Sequence, residues 1–159
     1  MRRKVYVETS IFSYLAGRSS RDLIVAARQR ITHTWWRTRR SAFDLYVSHV
    51  VIDEAKAGGP GPAQRRSALL ATVPTLDIPP GVADLAAALI KGVPLPPKAG
   101  ADAAHIAVAA YHGMDFLLTW NLTHIANAEL RPQIEGVCRE RGYSAPILCT
   151  PDELMGEQT

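Results

Sequence analysis

The sequence has few cysteines and no long hydrophobic run. Cys138 and Cys149 are its only cysteines in 159 residues. They are too far apart for a CxxC motif and too few for a disulfide framework, so we interpret both as small buried thiols. No apolar run approaches the roughly 18 residues of a membrane-spanning helix, and the N-terminus lacks the apolar segment of a secretory signal. These absences predict a cytoplasmic protein without membrane contact.

Three kinds of nucleotide and phosphate chemistry also lack their motifs. The turn after the first apolar segment reads ETSIFS and contains no glycine, whereas a dinucleotide-binding enzyme requires G-x-G-x-x-G there. A P-loop is absent from the sequence. A phosphatase with an aspartyl nucleophile would need Asp directly after the first strand, where this chain has Glu8. The sequence therefore disfavours these classes of α/β enzyme.

Short apolar strands alternate with helical segments along the chain. Ser10 is the predicted N-cap of the first helix, and Gly17 ends it. The predicted strands lie at about 4–7, 44–48, within 74–80, 115–119 and 146–149. The predicted helices lie at about 10–16, 20–39, 49–57, 62–72, 81–91, 101–112 and 127–142. Without internal repeats or a break in composition, this alternation predicts one α/β domain over residues 1–159. Its parallel sheet would lie between two helical layers.

Four polar side chains are predicted to meet at one edge of this sheet, because the carboxyl ends of parallel strands lie together. Glu8 follows the first strand, and Glu54 lies early in the helix after the second. Asp102 lies in the first turn of the helix that leads to the fourth strand, and Asn121 follows that strand. Asp115 begins the same strand and is excluded. Carboxylates this close repel one another, and a divalent cation such as Mg²⁺ relieves the repulsion.

Each of these residues has a structural alternative when it is considered alone. Glu8 and Asp102 are compatible with helix capping, and Asn121 is compatible with a turn. Glu54 is compatible with a surface acid, but it shares an apolar helix face, where an unpaired carboxylate is costly. Asp53 is rotated by about 100° from Glu54 on the helix, so we interpret it as a solvated surface acid. The convergence of all four favours a metal site.

The segments that carry these residues resemble the PIN-domain nucleases, and specifically the VapC-type toxins of toxin–antitoxin pairs. The similar segments are VYVETS, VSHVVIDEAKAG, KAGADAAHIAVAAYHGMDFLLTWN and ILCTPDEL, in this order over nearly the whole chain. The resemblance implies a PIN-like (Rossmann-like) three-layer α/β/α fold. It also implies an endoribonuclease that depends on Mg²⁺ or Mn²⁺ held by Glu8, Glu54 and Asp102. A cognate antitoxin and a homodimer are the partners it implies.

Two positions depart from the commonest pattern of this family. The first acid is usually Asp, and the extra methylene of Glu8 moves the carboxylate outward by about 1–1.5 Å. The fourth acid is also usually Asp, whereas Asn121 supplies an amide oxygen without a charge. A second metal ion is therefore disfavoured. The departures leave open a different function, that of a catalytically weak or inactive PIN-like module that binds RNA or a protein partner.

Three further side chains near the acidic residues have two interpretations each. The hydroxyls of Thr9 and Thr119 could donate hydrogen bonds to the acids, or serve as ordinary cap and strand-end groups. His105 follows Asp102 by one helical turn and could hydrogen-bond it, although a half-buried core histidine is the favoured interpretation.

A basic segment at residues 28–40 adds to the net charge of +3. The candidate contacts to an RNA backbone are Arg37, Arg39 and Arg40, together with Lys98 before the sixth helix. Trp35 or Trp36 could stack on a base. We favour instead a helix with outward arginines and tryptophans packed in the core or in a dimer interface, and a solvated Lys98. The apolar part of an antitoxin could also lie against this helix.

Overall fold

The computed structural model describes residues 1–157, which form a five-stranded parallel sheet with helices between the strands. The strands are Arg3–Val7 (β1), Phe43–Ser48 (β2), Thr75–Leu76 (β3), Phe116–Leu118 (β4) and Ile147–Cys149 (β5). Their order in the sheet is β3-β2-β1-β4-β5, and each adjacent pair is parallel. All five predicted strands are confirmed, with bounds that shift by a few residues at most.

Seven α-helices connect these strands within residues 1–157. They are Thr9–Ala16 (α1), Leu23–Thr38 (α2), His49–Ala55 (α3), Pro60–Leu70 (α4), Pro80–Gly92 (α5), Gly100–Tyr111 (α6) and Arg131–Glu140 (α7). Helices α1 to α4 lie in the connections from β1 to β2 and from β2 to β3, and they form one group. Helices α5 to α7 lie in the connections from β3 to β4 and from β4 to β5, and they form the other group. Right-handed crossovers place the two groups on opposite faces of the sheet. The predicted three-layer α/β/α architecture is confirmed.

The prediction that Ser10 caps the first helix is wrong. Helix α1 begins at Thr9, and its N-cap is Glu8, whose carbonyl accepts a hydrogen bond from the amide of Ile11. Ser10 lies in the first turn, where its hydroxyl donates to Glu8 Oε1 (2.5 Å) and accepts from the amide of Trp120 (2.8 Å). The strand therefore passes into the helix without a loop, and the Glu8 carboxylate lies at the joint.

Helix α7 also begins later than predicted, at Arg131 rather than at about 127. Asn127 explains the delay, because its side chain bonds the local backbone instead of continuing a helix. Its Oδ1 accepts from the amide of Glu129 (3.0 Å), and its Nδ2 donates to the carbonyl of Thr123 (2.9 Å). Pro132 then supports the start of the helix, since its ring suits a first turn.

The core packs the central strands against α6. Val5, Tyr6 and Val7 of β1 and Leu117 of β4 have no exposed surface. Helix α6 is buried over most of its circumference, from Ala103 to Ala110, and it packs against α5 and α3. Because a helix enclosed in this way cannot rotate without exposing apolar surface, the side chains that it carries are held in fixed positions.

Several sequence predictions about single side chains are confirmed in this core. Cys138 and Cys149 are free and buried, and burial raises the pKa of Cys138 to about 11 and that of Cys149 to about 12. Trp35 and Trp36 are buried, and the indole nitrogen of Trp35 donates to the carbonyl of Leu154.

Within residues 1–157, none of the helices combines the length and hydrophobicity needed to cross a membrane.

Replacing Leu117 with alanine should lower the free energy of unfolding by about 2–5 kcal/mol, because it leaves a cavity in the centre of the sheet. The matched control is Leu23→Ala, since Leu23 is 87% exposed and its replacement should change the value by less than about 0.5 kcal/mol. Urea unfolding followed by circular dichroism measures both. Equal losses for the two variants would contradict the described core.

Candidate metal centre

The carboxyl ends of β1, β2 and β4 meet at the predicted edge of the sheet. The order of strands reverses between β1 and β4, which is where open α/β sheets bind ligands. Glu8 lies at this point, and its amide donates to the carbonyl of Leu118 at the end of β4 (3.0 Å). The residue is only 5% exposed. The chain therefore places a carboxylate in a nearly buried position at the switch in strand order.

One oxygen of the Glu8 carboxylate is held by protein donors. Its Oε1 accepts hydrogen bonds from Ser10 Oγ (2.5 Å) and Thr119 Oγ1 (2.6 Å). The predicted Thr119 contact is thus present, and Ser10 is a contact that the sequence analysis did not find. Among the described residues, no donor bonds Oε2 of Glu8. One oxygen fixes the orientation of the group, and the other remains available to a ligand.

Glu54, in α3, has the same division of roles between its two oxygens. Its Oε1 accepts from Thr9 Oγ1 (2.7 Å) and contacts His105 Nε2 at 2.5 Å. In the described part of the chain, its Oε2 has no hydrogen-bond donor. Because Thr9 follows Glu8 directly, the hydroxyl that binds Glu54 also ties it to the end of β1. The predicted contact of Thr9 with the acidic residues is therefore present.

The environment of Glu54 favours its ionised form. Burial acts to raise its pKa, but the contacts with His105 and the hydrogen bond from the Thr9 hydroxyl lower it by more. The net result is a pKa below the ordinary value of 4.5. Glu54 is therefore a carboxylate at neutral pH, as a metal ligand must be.

His105 is a core histidine whose two ring nitrogens both have partners, which agrees with the favoured interpretation, although its burial is complete rather than partial. The alternative, a hydrogen bond to Asp102, is not formed, since Nε2 of His105 faces Glu54 and Nδ1 faces the hydroxyl of Tyr6 (2.7 Å). One ligand atom each from Glu8, Glu54 and His105 lies within 4.8 Å of the other two.

Asp102 stands apart from this close group, although it lies in the first turn of α6 as predicted. Its Oδ2 bonds Nδ1 of His124 (2.8 Å), and the two side chains are each 19% exposed. Sequence reasoning did not find His124. The available signal was its position three residues after Asn121 in the segment TWNLTHIAN, where a turn brings its ring back toward the sheet edge.

A continuous set of hydrogen bonds nevertheless connects Asp102 to Glu8. The hydroxyl of Thr119 donates to Glu8 and accepts from the amide of Asn121 (2.9 Å). Asn121 Oδ1 in turn accepts from the amide of His124 (3.0 Å), and His124 bonds Asp102. Asn121 therefore acts as a turn residue through its amide oxygen. The hydrogen bonds thus connect Asp102 and Asn121 to Glu8 with His124 among them, while a metal site formed by all four predicted residues stays a prediction.

The predicted RNA contacts divide between the two edges of the sheet. Lys98 is exposed just before α6, on the side of the acidic residues. Arg37, Arg39 and Arg40 lie near the start of β2, at the opposite edge, where the last two stack over Phe43 and Trp36. A strand length separates the edges, which is about 15–20 Å. These arginines therefore lie too far from Glu8 and Glu54 to contact a phosphate at the acidic edge.

The carboxylates of the acidic edge form no ion pair with a lysine or arginine of the described residues. Within residues 1–157, no lysine or arginine nitrogen lies within 4.0 Å of a carboxylate oxygen, and the side-chain nitrogens at that distance are those of His105 and His124. Asp115 is confirmed at the opposite edge, where it accepts from the amide of Lys4. Two carboxylates with fixed geometry and a free oxygen each are a donor set that fits a hard divalent cation.

Replacing Glu54 with glutamine should reduce the free energy of unfolding at neutral pH and have a smaller effect in acid. A carboxyl group whose pKa is lowered in the folded state stabilises the fold above its ordinary pKa of 4.5. That contribution decreases as the pH falls through the lowered pKa. Unfolding of the parent and the variant at both pH values measures the difference. A constant difference would contradict the assigned ionisation.

Comparison with known proteins supports the interpretation of the fold. The family model of the PIN domain matches residues 5–125. Among curated proteins, none matches the chain in sequence. Two solved structures are similar at low sequence identity, which shows a shared fold.

One of these structures is the toxin VapC20 of Mycobacterium tuberculosis, which cleaves the sarcin–ricin loop. It aligns with a TM-score of 0.60 at 16% identity and covers 76% of this chain and 92% of that chain. The other is VapBC2 of Rickettsia felis bound to a DNA fragment from their promoter. It has a TM-score of 0.59 at 13% identity, with 92% and 98% of the two chains covered. Since the family match extends from the first strand to the turn after the fourth, the chain belongs to the PIN-domain family.

Proposed function

We propose that this protein is a metal-dependent endoribonuclease of the VapC type, the toxin of a toxin–antitoxin pair. The observation that carries the proposal is the pair formed by Glu8 and Glu54. Each carboxylate has one oxygen held by hydrogen bonds and one without a described donor. Their position at the switch in strand order of a PIN domain supports a catalytic site over an incidental acidic surface.

Glu8 and Glu54 would hold Mg²⁺ or Mn²⁺, with Asp102 and Asn121 at the margin of the site. When bound, such a metal ion activates water and stabilises negative charge on the phosphate. Thr9 and Thr119 would keep the two glutamates in orientation through the hydrogen bonds described above. With Asn121 engaged in a turn and uncharged, the site has three formal negative charges, which favours one metal ion over two.

Asp102 is the carboxylate best suited to accept the proton of the attacking water. It lies outside the close group formed with His105, and its Oδ1 has no donor among the described residues. His124 orients the group by bonding Oδ2. A carboxylate held in this way combines a fixed position with a free acceptor atom, as general base catalysis requires.

The RNA substrate would approach along the acidic edge. Lys98 is the basic side chain that we expect to meet a phosphate there, because it is exposed on that side of the sheet. Arg37, Arg39 and Arg40 would contact only a distant part of a long RNA. Trp35 has no exposed surface and cannot stack on a base without unfolding of α2.

An antitoxin would cover an apolar groove beside the site. Leu23, Ile24 and Leu122 are 87%, 64% and 41% exposed, and they line the groove with Ile31 and Trp120. Trp120 lies two residues after the end of β4, so the groove begins at the same edge of the sheet as the acidic residues. An amphipathic segment bound there would bury this surface and restrict access to the site.

Three further properties remain predictions, namely a homodimer, a cytoplasmic location and a single domain over residues 1–159.

A catalytically inactive PIN-like module is the competing function. Two observations favour it, namely the longer first acid, Glu8, and the amide oxygen of Asn121, which bonds the backbone of His124. Such a module would bind RNA or a protein partner through the same edge without a requirement for metal. Metal binding and RNA cleavage distinguish the two functions.

Titration with Mn²⁺ by calorimetry, with RNA cleavage measured in parallel, tests the proposed function. Replacing Glu54 with glutamine or Asp102 with asparagine should lower Mn²⁺ affinity at least about tenfold and cleavage at least about 100-fold. The control is Asp53→Asn, because Asp53 is an exposed acid adjacent to Glu54 on the same helix. It should leave both quantities unchanged. Absence of Mn²⁺ binding in the parent protein would overturn the catalytic proposal.

Replacing Ile24 with aspartate should weaken binding of the antitoxin at least about tenfold, because it places a charge in an apolar interface. The control is Ile147→Asp, since Ile147 is similarly exposed (58%) but lies on β5 outside the groove. The assay is titration of the purified chain with the product of its neighbouring gene. Equal affinities for the two variants would exclude the groove as the antitoxin site.

A further inference from the structure

A buried chain of side chains leads from β2 to the candidate metal centre. Ser48, Tyr6 and His105 each have no exposed surface. The hydroxyl oxygens of Ser48 and Tyr6 are 2.8 Å apart, and Tyr6 is 2.7 Å from Nδ1 of His105. Nε2 of His105 lies 2.5 Å from Oε1 of Glu54. Because Ser48, Tyr6 and His105 have no exposed surface, we expect each of their protons to have its acceptor inside the protein.

The direction of these hydrogen bonds follows from the supply of protons. Ser48 Oγ already accepts from the amide of Val50 (3.2 Å), as the N-cap of α3. If Ser48 donates to Tyr6 and Tyr6 donates to Nδ1, then Nδ1 is an acceptor and the ring proton lies on Nε2. Nε2–H then donates to the carboxylate of Glu54. Every hydroxyl and ring nitrogen has a partner in this arrangement.

The opposite direction leaves a buried proton without an acceptor. If the proton lay on Nδ1 of His105, it would donate to Tyr6, and Tyr6 would donate to Ser48. The hydroxyl of Ser48 would then have no acceptor among the described residues, at a cost comparable to a lost hydrogen bond. Nε2 would also present a lone pair to the negatively charged Glu54. Both consequences disfavour this arrangement.

We propose that His105 is a positioning residue, neutral and protonated on Nε2, which holds Glu54 and does not bind metal. Tyr6 and Ser48 select this tautomer. The lone pair that a metal would need on Nε2 is occupied by a proton, and Nδ1 is occupied by Tyr6. The metal part of this inference rests on the proposed function. It restricts the ligands of the centre to oxygen atoms, which suit Mg²⁺ and Mn²⁺ better than the imidazole-preferring Zn²⁺.

Nitrogen NMR of histidine-labelled protein measures the tautomer directly. The chain has five histidines, and the resonances of His105 are assigned by their absence from His105→Gln. We expect a neutral ring with a protonated Nε2 in the metal-free protein, and the same ring after saturation with Mg²⁺. A proton on Nδ1, or loss of the Nε2 proton when Mg²⁺ is added, would overturn the inference.

Tyr6→Phe removes the donor to Nδ1 and should release the tautomer of His105, giving a mixture of the two ring forms. The control is Tyr46→Phe, because Tyr46 lies on the adjacent strand and its hydroxyl has no hydrogen bond within residues 1–157. It should leave the ring of His105 unchanged. An unchanged ring in Tyr6→Phe as well would show that Tyr6 does not select the tautomer.

Two substitutions of His105 distinguish the effect of its hydrogen bond to Glu54 from the effect of its side-chain volume. His105→Gln retains an N–H donor near the position of Nε2, whereas His105→Asn retains only an acceptor near Nδ1. We expect Asn to lower Mn²⁺ affinity about 10–100-fold and Gln to lower it less than about tenfold. Equal losses would contradict positioning through the donor. If the parent protein binds no metal, the proposed function fails, while the metal-free NMR spectrum still decides the tautomer.

Discussion

The nearly buried carboxylate of Glu8 is the constraint from which the rest of the site follows. A carboxylate removed from water is costly unless donors or a cation surround it. Because β1 passes directly into α1, the chain has no loop that would let this group reach solvent. Ser10 and Thr119 bond one oxygen, the other has no donor among the described residues, and a carboxylate oxygen of Glu54 lies within 4.8 Å of the group. A divalent cation at this edge would compensate the remaining charge.

Two sets of hydrogen bonds hold the acidic residues from opposite sides. One passes from Glu8 through Thr119 and the turn at Asn121 to His124 and Asp102. The other approaches Glu54 from the interior of the sheet. Both include a residue of α6, Asp102 in the first and His105 in the second, and α6 is enclosed by apolar contacts and does not shift independently of the core. The geometry of the site is therefore a property of the packed domain rather than of a flexible loop.

The candidate metal centre and the basic surface lie on different parts of the protein. The acidic edge and the arginines at the end of α2 lie at opposite ends of the strands. In the part of the chain that the structure describes, the nitrogen atoms closest to these carboxylates belong to histidines rather than to arginines. A site with this arrangement keeps its negative potential and attracts cations. Lys98 is the basic side chain closest in sequence to Asp102 and lies on the same side of the sheet.

The sequence by itself determined the alternation of strands and helices, the parallel sheet and the edge at which Glu8, Glu54 and Asp102 lie. These features depend on periodicity along the chain and on the rule that parallel strands end on one side. The tertiary structure alone decided which donor bonds which oxygen. Ser10 and His124 were not found, and His105 bonds Glu54 rather than Asp102, because such contacts depend on side-chain directions in segments distant in sequence. Spacing along one helix brings residues to one face, but only packing between helices selects the partner.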